Sequence, residues 1–119
     1  MFTVTKRIEV AGAHRLDLPY ESKCSNLHGH NWIIKVTCQS FELNESGMVI
    51  DFTEIKRIVM QFDHANVNDV LNPGVGDNYY GKINPTAENI ARWICDKVPH
   101  CVKVEVQESE GNVAIYERD

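Results

Sequence analysis

Residues 28–41, HGHNWIIKVTCQSF, contain the pattern that decides the fold. Apolar residues occupy alternate positions on one face: Trp32, Ile34, Val36 and Cys38. The opposite face carries polar residues: Lys35, Thr37 and Gln39. A period of two predicts a β-strand with one buried and one exposed face, because successive side chains of a strand point to opposite sides of the sheet.

The segment before this strand has the same periodicity. Residues 1–14 place apolar side chains at one parity, interrupted only by Lys6: Phe2, Val4, Ile8 and Val10. This predicts another strand. Residues 15–27 contain proline, serine and asparagine, which favour a loop between the two strands.

The segment after residue 41 predicts a turn and then a helix. Residues 44–47, Asn-Glu-Ser-Gly, form the turn, and residues 48–50 resume the strand. Asp51 is the expected helix N-cap, with Glu54 as its capping-box partner. Apolar residues then follow at helical spacing: Phe52, Ile55, Val59 and Phe62.

A long loop separates this helix from a second one. Residues 72–84 are rich in glycine, and a loop of this length in a small domain is often functional. Asn84 is the expected N-cap of the second helix, with Pro85 at its first position. Its apolar stripe comprises Ala87, Ile90, Ala91, Ile94, Cys95 and Val98. Alternating residues at 102–106 and 113–117 predict two further strands.

The predicted order is therefore β-β-α-α-β-β. It defines an α+β domain, an antiparallel four-stranded sheet with two helices on one face. The 119 residues suit a single domain, 1–119. The uncovered face and the two sheet edges favour a homo-oligomer.

Composition excludes several function classes. The net charge of −5 argues against nucleic-acid binding, which needs a basic face. No apolar run approaches the roughly 20 residues that span a membrane. Four cysteines occur without an export signal, which favours reduced thiols and a cytoplasmic protein: Cys24, Cys38, Cys95 and Cys101.

Three histidines form the candidate metal site. His28 and His30 are two residues apart on a strand, so both imidazoles point to the same side, and Gly29 is expected to keep the space between them clear. His14 ends the first strand, which in an antiparallel pair lies beside the start of the second. Three imidazoles with an open fourth position are typical of catalytic zinc. The alternative is a chance HxH pair and a core or surface His14.

Cys24, close to this site, has three interpretations. It is a small apolar residue, a fourth zinc ligand that closes the site, or a reactive thiolate beside the metal. The other three cysteines fit apolar faces or strand ends and are interpreted as structural.

Two further groups are candidates for proton transfer or ligand binding. In Asp63-His64 the carboxylate can fix the imidazole tautomer, although adjacency alone favours the alternative of an exposed helix end. Glu108 shares the parity of Val104 and Val106 and should point inward, where it can bind an amidine-like ligand edge. The alternative is a strand that ends or bulges before Glu108.

Six segments occur in order along the chain: Ala13-His14, Cys24-Ser-Asn-Leu-His28-Gly-His30-Asn-Trp, Gly47-Met-Val-Ile-Asp51-Phe, Phe62-Asp63-His64, Asn84-Pro-Thr-Ala-Glu-Asn89 and Val106-Gln-Glu108-Ser. Together they resemble the 6-pyruvoyl-tetrahydropterin synthase / 6-carboxy-5,6,7,8-tetrahydropterin synthase family over nearly the whole chain. The Cys-x3-His-x-His spacing is similar to the branch of the queuosine pathway, whereas the pyruvoyl-forming branch has a longer interval.

The resemblance implies a role for each candidate residue. It implies Zn²⁺ bound by His14, His28 and His30, and Cys24 as the general acid/base. It implies that Asp63 and His64 tune or relay protons and that Glu108 anchors the pterin ring. It also implies the tunnelling fold, in which subunits assemble as trimers or hexamers into a barrel with active sites at their interfaces.

The implied reaction converts 7,8-dihydroneopterin triphosphate to 6-carboxy-5,6,7,8-tetrahydropterin, releasing acetaldehyde and triphosphate. A 6-pyruvoyl-tetrahydropterin synthase acting on the same substrate is one alternative. A zinc- and pterin-binding protein without turnover, or a structural zinc domain, are the others. Residues 72–84 are the candidate loop for closing over the pterin.

Overall fold

A computed structural model describes residues 1–75 and 82–119 of the chain. The strands within these residues are β1 (Phe2–His14), β2 (His28–Ser40), β3 (Ala65–Asn66), β4 (Cys101–Ser109) and β5 (Asn112–Glu117). The α-helices are α1 (Phe52–Val59), α2 (Val67–Leu71) and α3 (Ala87–Lys97). Single 3-10 turns occur at Lys23–Ser25 and Met60–Phe62. Residues 76–81 of the loop predicted over 72–84 lie outside the described residues.

The strands form one sheet in the order β3-β1-β2-β4-β5. The α+β class is confirmed, but the predicted counts of four strands and two helices are wrong for the described residues. The additional strand, β3, has only two residues and pairs parallel to Gly12 and Ala13. The additional helix, α2, has five residues. Neither element is long enough to show a periodic sequence pattern.

Residues 48–50 do not continue the second strand, contrary to the prediction. The backbone N–H of Asn44 donates to the carbonyl of Met48, so this segment closes on itself instead of pairing with a neighbour. Asp51 caps α1 as predicted, by accepting from Thr53 N–H at 2.8 Å. The capping box is absent, because the Glu54 carboxylate accepts from Arg57.

The second long helix begins two residues later than predicted. Thr86, not Asn84, is the N-cap of α3, and its hydroxyl accepts from Asn89 N–H at 3.1 Å. Pro85 therefore lies before the helix, where its carbonyl oxygen is available to a side chain. The Asn84 side chain contacts a different segment, described below.

The core lies between one face of the sheet and the helices. Its sheet side includes Val10, Ile34, Val36, Val104 and Val106, and its helix side includes Ile55, Val59, Ile90, Ala91 and Ile94, all at most 2% exposed. The apolar parity of β1, β2 and β4 is therefore the buried one, as predicted, whereas β5 exposes Val113 and Ile115. None of the described helices is long and apolar enough to cross a membrane.

Candidate active site

Three imidazoles converge at the end of the sheet where β1 finishes and β2 begins. His14 lies directly opposite His28 in the antiparallel register, and His30 lies opposite Gly12. The ring centroid of His14 is 4.6 Å from that of His28 and 5.2 Å from that of His30. The centroids of His28 and His30 are 4.9 Å apart. The three imidazoles therefore lie together, as their spacing in the sequence predicts.

Backbone carbonyls orient two of the three rings. Nδ1–H of His14 donates to the carbonyl oxygen of Pro85 at 2.7 Å, and Nδ1–H of His28 donates to that of Asn26 at 2.7 Å. Such bonds fix the tautomer in which Nε2 carries a lone pair. Nε2 of His14 and Nε2 of His30 are both buried without a hydrogen-bond partner.

The surroundings of His14 and His30 favour their neutral forms. Burial lowers the pKa of His14, and the hydrogen bond to Pro85 only partly opposes this effect. Burial also lowers the pKa of His30, against the opposing attraction of Glu108. A neutral imidazole is the form that binds a metal ion, so the site favours ligation over protonation near neutral pH.

Glu108 lies beside the histidines, at a bulge in the strand that carries it. The pairing of β4 with β5 shifts between Gln107 and Ser109, which leaves Glu108 as the extra residue. A bulge re-aims a side chain. One carboxylate oxygen of Glu108 lies 3.0 Å from Nε2 of His30 but forms no hydrogen bond with it. The inward orientation and the bulge, treated as alternatives from the sequence, thus occur together.

These four side chains fit a divalent metal ion. One ligand atom from each of His14, His28, His30 and Glu108 lies within 4.8 Å of the others. Neutral imidazole nitrogens with a carboxylate oxygen are a donor set that zinc accepts. The buried, unpartnered Nε2 atoms are explained by such an ion, since an orphaned polar atom is otherwise unfavourable. Among the described residues, the group that comes together includes Glu108 and not Cys24.

Cys24 lies in the 3-10 turn between the two histidine-bearing strands. Its carbonyl oxygen accepts from Leu16 N–H at 2.8 Å, and its own N–H donates to the Ser22 hydroxyl at 3.1 Å. The side chain is partly exposed. The turn therefore holds a free thiol near the start of β2 and leaves it accessible.

The Asp63-His64 pair adjoins the same end of β1. Asp63 accepts from Ala11 N–H at 2.9 Å, and His64 N–H donates to the Ala11 carbonyl at 2.6 Å. His64 has a positive φ of 52°, a conformation that non-glycine residues rarely adopt. Nε2 of His64 lies 3.7 Å from the second Asp63 oxygen, and the ring is 82% exposed. A shallow cavity of about 500 Å³ is lined by both His30 and His64.

The other three cysteines are buried, as predicted for structural residues. The hydrogen bond that the Cys101 thiol donates to Cys38, together with burial, raises the pKa of Cys101. Burial raises the pKa of Cys95 to about 11. Both thiols therefore stay protonated at neutral pH.

Sequence reasoning missed the carbonyls of Asn26 and Pro85 as groups of the site. Backbone atoms carry no residue-type signal. The Asn84-Pro85 pair is visible in the sequence, but its spacing predicts a helix start and not a partner for His14.

The fold and this constellation define a small α+β protein with a candidate three-histidine metal centre at the end of its sheet. The chain belongs to the 6-pyruvoyl tetrahydropterin synthase family, whose sequence model matches residues 3–119. The family is one of lyases, so the expectation of a lyase is confirmed.

Relatives in this family are similar over most of the chain. A 6-carboxy-5,6,7,8-tetrahydropterin synthase of Bacillus subtilis is 29% identical, covering 97% of this chain and 84% of the relative. One of Rickettsia bellii is 35% identical, covering 82% of this chain and 80% of the relative. The solved structure of 6-pyruvoyl tetrahydropterin synthase from Caenorhabditis elegans superposes with a TM-score of 0.71 at 25% identity, covering 99% of this chain and 96% of that chain.

Proposed function

We propose that this chain is a zinc-dependent 6-carboxy-5,6,7,8-tetrahydropterin synthase. It would convert 7,8-dihydroneopterin triphosphate to 6-carboxy-5,6,7,8-tetrahydropterin with release of acetaldehyde and triphosphate. The observation that carries the proposal is the convergence of three imidazoles and the Glu108 carboxylate within 4.8 Å. The relatives of Bacillus subtilis and Rickettsia bellii, which bear this activity in their names, support it.

His14, His28 and His30 would hold the zinc ion. One ring nitrogen of each lies within 4.8 Å of the others, and the carbonyls of Pro85 and Asn26 hold two of the rings in the required tautomer. When bound, zinc would polarise oxygen substituents on the substrate side chain and make the adjacent C–H bonds more acidic.

Cys24 would take or return a proton on the substrate side chain. Its backbone carbonyl and its backbone N–H are both hydrogen-bonded, to Leu16 and Ser22 respectively. The backbone that carries the thiol therefore has a defined position. A thiol close to a bound cation loses its proton more readily and becomes a usable base.

Asp63 and His64 would supply the second proton-transfer group. One carboxylate oxygen of Asp63 accepts a hydrogen bond from Ala11 N–H, and the other lies near the imidazole of His64. The highly exposed ring can exchange protons with solvent.

Glu108 would anchor the pterin. A carboxylate can accept two hydrogen bonds from the amidine-like edge of that ring, and charge-assisted bonds of this kind are the stronger ones. The proximity of Glu108 to His30 would also place the bound ring beside the metal ligands.

The enzyme would work as a homo-oligomer, a trimer or a hexamer, with sites at subunit interfaces. The outer strand β5 exposes Val113 and Ile115, each 52% exposed, at the edge of the sheet. An exposed apolar edge strand is normally covered by a partner, and a second copy of the chain would cover it.

Product analysis tests the proposed activity. Purified protein loaded with zinc is incubated with 7,8-dihydroneopterin triphosphate, and the products are identified by mass spectrometry. The carboxy product with one equivalent of acetaldehyde is expected. A pyruvoyl product without acetaldehyde would assign the chain to the alternative synthase, which the likeness to the Caenorhabditis elegans enzyme favours. No turnover of either kind would leave a zinc- and pterin-binding protein.

A further inference from the structure

Three asparagines beside the metal site use their side chains in the same way. Each side-chain amide pairs with the peptide N–H and C=O of a distant residue, accepting at Oδ1 and donating from Nδ2. They are Asn68, Asn72 and Asn84. An amide side chain has the donor and acceptor of a peptide group, so the arrangement resembles a short piece of strand pairing.

Two of these asparagines belong to α2 and its C-cap and reach in different directions. Asn68 accepts from Arg15 N–H at 2.9 Å and donates to the Arg15 carbonyl at 2.9 Å. Asn72 accepts from Ile83 N–H at 2.8 Å and donates to the Ile83 carbonyl at 2.8 Å. Asn72 also donates to the Asn68 carbonyl at 3.1 Å, so its Nδ2 makes two hydrogen bonds and its Oδ1 makes one.

The third asparagine joins the two segments that α2 holds. Asn84 accepts from Asp17 N–H at 3.0 Å and donates to the Asp17 carbonyl at 3.0 Å. The carbonyl of Asn84 itself accepts from the Asn89 side chain at 2.9 Å. Residues 15–17, residues 83–84 and α2 are therefore tied pairwise into a closed loop of contacts.

This closed loop of contacts adjoins both partners of one hydrogen bond in the metal site, that between His14 and Pro85. Arg15 directly follows His14, and Pro85 directly follows Asn84, so each partner of the 2.7 Å His14–Pro85 hydrogen bond is next to a clamped residue. Asn68 and Asn72 are 2% and 5% exposed. Buried amides with satisfied groups form a rigid support, because loss of one partner would leave a buried polar atom unpaired.

We propose that Asn68, Asn72 and Asn84 are positioning residues for the metal ligand His14. They hold the Pro85 carbonyl at the distance and direction that keep the proton of His14 on Nδ1 and present Nε2 to the metal. This inference rests on the proposed metal site and adds to it the groups that prepare His14. It also gives the Asn84-Pro85 pair a role other than helix capping.

The test measures zinc affinity and the tautomer of His14 in the full-length chain. The variants are Asn72→Ala and, because a buried change can prevent folding, the less buried Asn84→Ala. Asn44→Ala is the matched control: its Oδ1 accepts two backbone N–H groups, of Ser46 and Met48, in an exposed turn of another loop. Zinc affinity is measured by competition with a chromophoric chelator, and the tautomer by ¹H–¹⁵N NMR of the zinc-free protein.

The expected result is a roughly 10- to 100-fold loss of zinc affinity in Asn72→Ala and Asn84→Ala, the size found when a support of a metal-bound histidine is removed. His14 of the zinc-free variants should also show the Nε2–H tautomer in addition to Nδ1–H. Asn44→Ala should keep the affinity and the tautomer of the unmodified chain. Unchanged affinity and a pure Nδ1–H tautomer in both site variants would overturn the inference.

The two proposals fail in different ways. If the unmodified chain binds no zinc, the proposed metal site is wrong, and the His14 tautomer in the zinc-free variants still decides the positioning role. If zinc binds and Asn44→Ala weakens it as much as Asn84→Ala does, the effect is general destabilisation and the positioning role is overturned.

Discussion

A carboxylate oxygen of Glu108 lies 3.0 Å from Nε2 of His30, although 78 residues separate the two in the chain. The contact exists because the antiparallel register places Gln107 opposite Ile33, so the end of β4 lies beside the start of β2, where the imidazoles are. The carboxylate therefore faces both the metal ligands and the space beside them. Separate measurements of zinc affinity and of substrate binding decide whether Glu108 binds the metal or the substrate.

Glu108→Gln should weaken substrate binding much more than zinc binding. Glutamine keeps the shape but loses the charge, and a hydrogen bond to a charged group contributes roughly 1.5–3 kcal/mol. We expect kcat/KM for 7,8-dihydroneopterin triphosphate to fall about 10- to 150-fold by that conversion, with zinc affinity changed less than about tenfold. Steady-state kinetics and chelator competition measure the two effects.

Glu110→Gln is the control for this variant, since Glu110 is exposed in the turn between β4 and β5. It should leave both quantities unchanged. A Glu108→Gln protein that loses zinc but binds the pterin normally would show Glu108 to be a metal ligand instead of the pterin anchor.

His28→Ala should remove most of the bound zinc. His28 is one of the three proposed imidazole ligands, and loss of a group that only supports a ligand already costs about 10- to 100-fold in metal affinity. We therefore expect a loss greater than about 100-fold, measured as zinc per chain after dialysis and by chelator competition. His100→Ala is the matched control because His100 is exposed and remote from the group of ligand atoms. Full zinc content in His28→Ala would contradict the three-histidine site.

The periodic parts of the fold could be predicted from the sequence. Alternation in residues 28–41 gave the buried face that places His28 and His30 on one side, and antiparallel pairing then put His14 beside them. β3 and α2 could not be predicted, because two and five residues contain too little periodicity. Their positions depend on pairing with Gly12 and Ala13, far away in the chain.

The site was predictable where side-chain type carries the chemistry. The histidines and Glu108 are examples, since their parity and position already pointed inward. The supports of the site were not predictable in this way. Asn84 precedes a proline and so predicts a helix cap, but its side chain pairs with Asp17, a contact set by how two loops meet. Contacts between side-chain amides and distant backbone leave no periodic pattern.

Cys24→Ala should abolish most of the activity while leaving the fold intact. General acid–base groups contribute typically about 10²- to 10⁴-fold to rate, so kcat should fall by that factor. Cys95→Ala, a change of a buried thiol far from the proposed chemistry, should keep kcat. Equal turnover in Cys24→Ala and the unmodified chain would exclude Cys24 as the proton-transfer group.

A thiol titration checks the accessibility on which this role depends. Cys24 is the partly exposed thiol, whereas the other three are buried and those of Cys95 and Cys101 have raised pKa values. A chromogenic disulfide reagent at pH 8 should therefore react quickly with one thiol in the folded protein and with all four after denaturation. Cys24→Ala should lose the fast phase.

Gly12→Ala should destabilise the chain, whereas Gly29→Ala should not. A Cβ at Gly12 would lie 2.8 Å from the backbone oxygen of Phe62 and 3.3 Å from Val67, so rigid backbone would have to move. Overpacking of this kind costs about 1–3 kcal/mol. Apart from its chain neighbours, a Cβ at Gly29 meets only the Gly12 oxygen at 3.9 Å, which is an ordinary van der Waals contact. Urea unfolding measures the free energy of unfolding of each variant. Equal stability of the two variants would contradict the steric argument.

Acidification should destabilise the zinc-free protein. The folded-state pKa values of His14 and His30 are lowered, mainly by burial, so below pH 6.5 the unfolded chain binds more protons than the folded one. The free energy of unfolding therefore decreases as the pH falls below 6.5. The decrease is at most about 1.4 kcal/mol per pH unit for each histidine. Urea unfolding between pH 5 and 7.5 measures the slope. His14→Gln should flatten it, since glutamine does not titrate, and His100→Ala should not. A zinc-free chain that becomes more stable on acidification in this range would show that these imidazoles are not held neutral by burial.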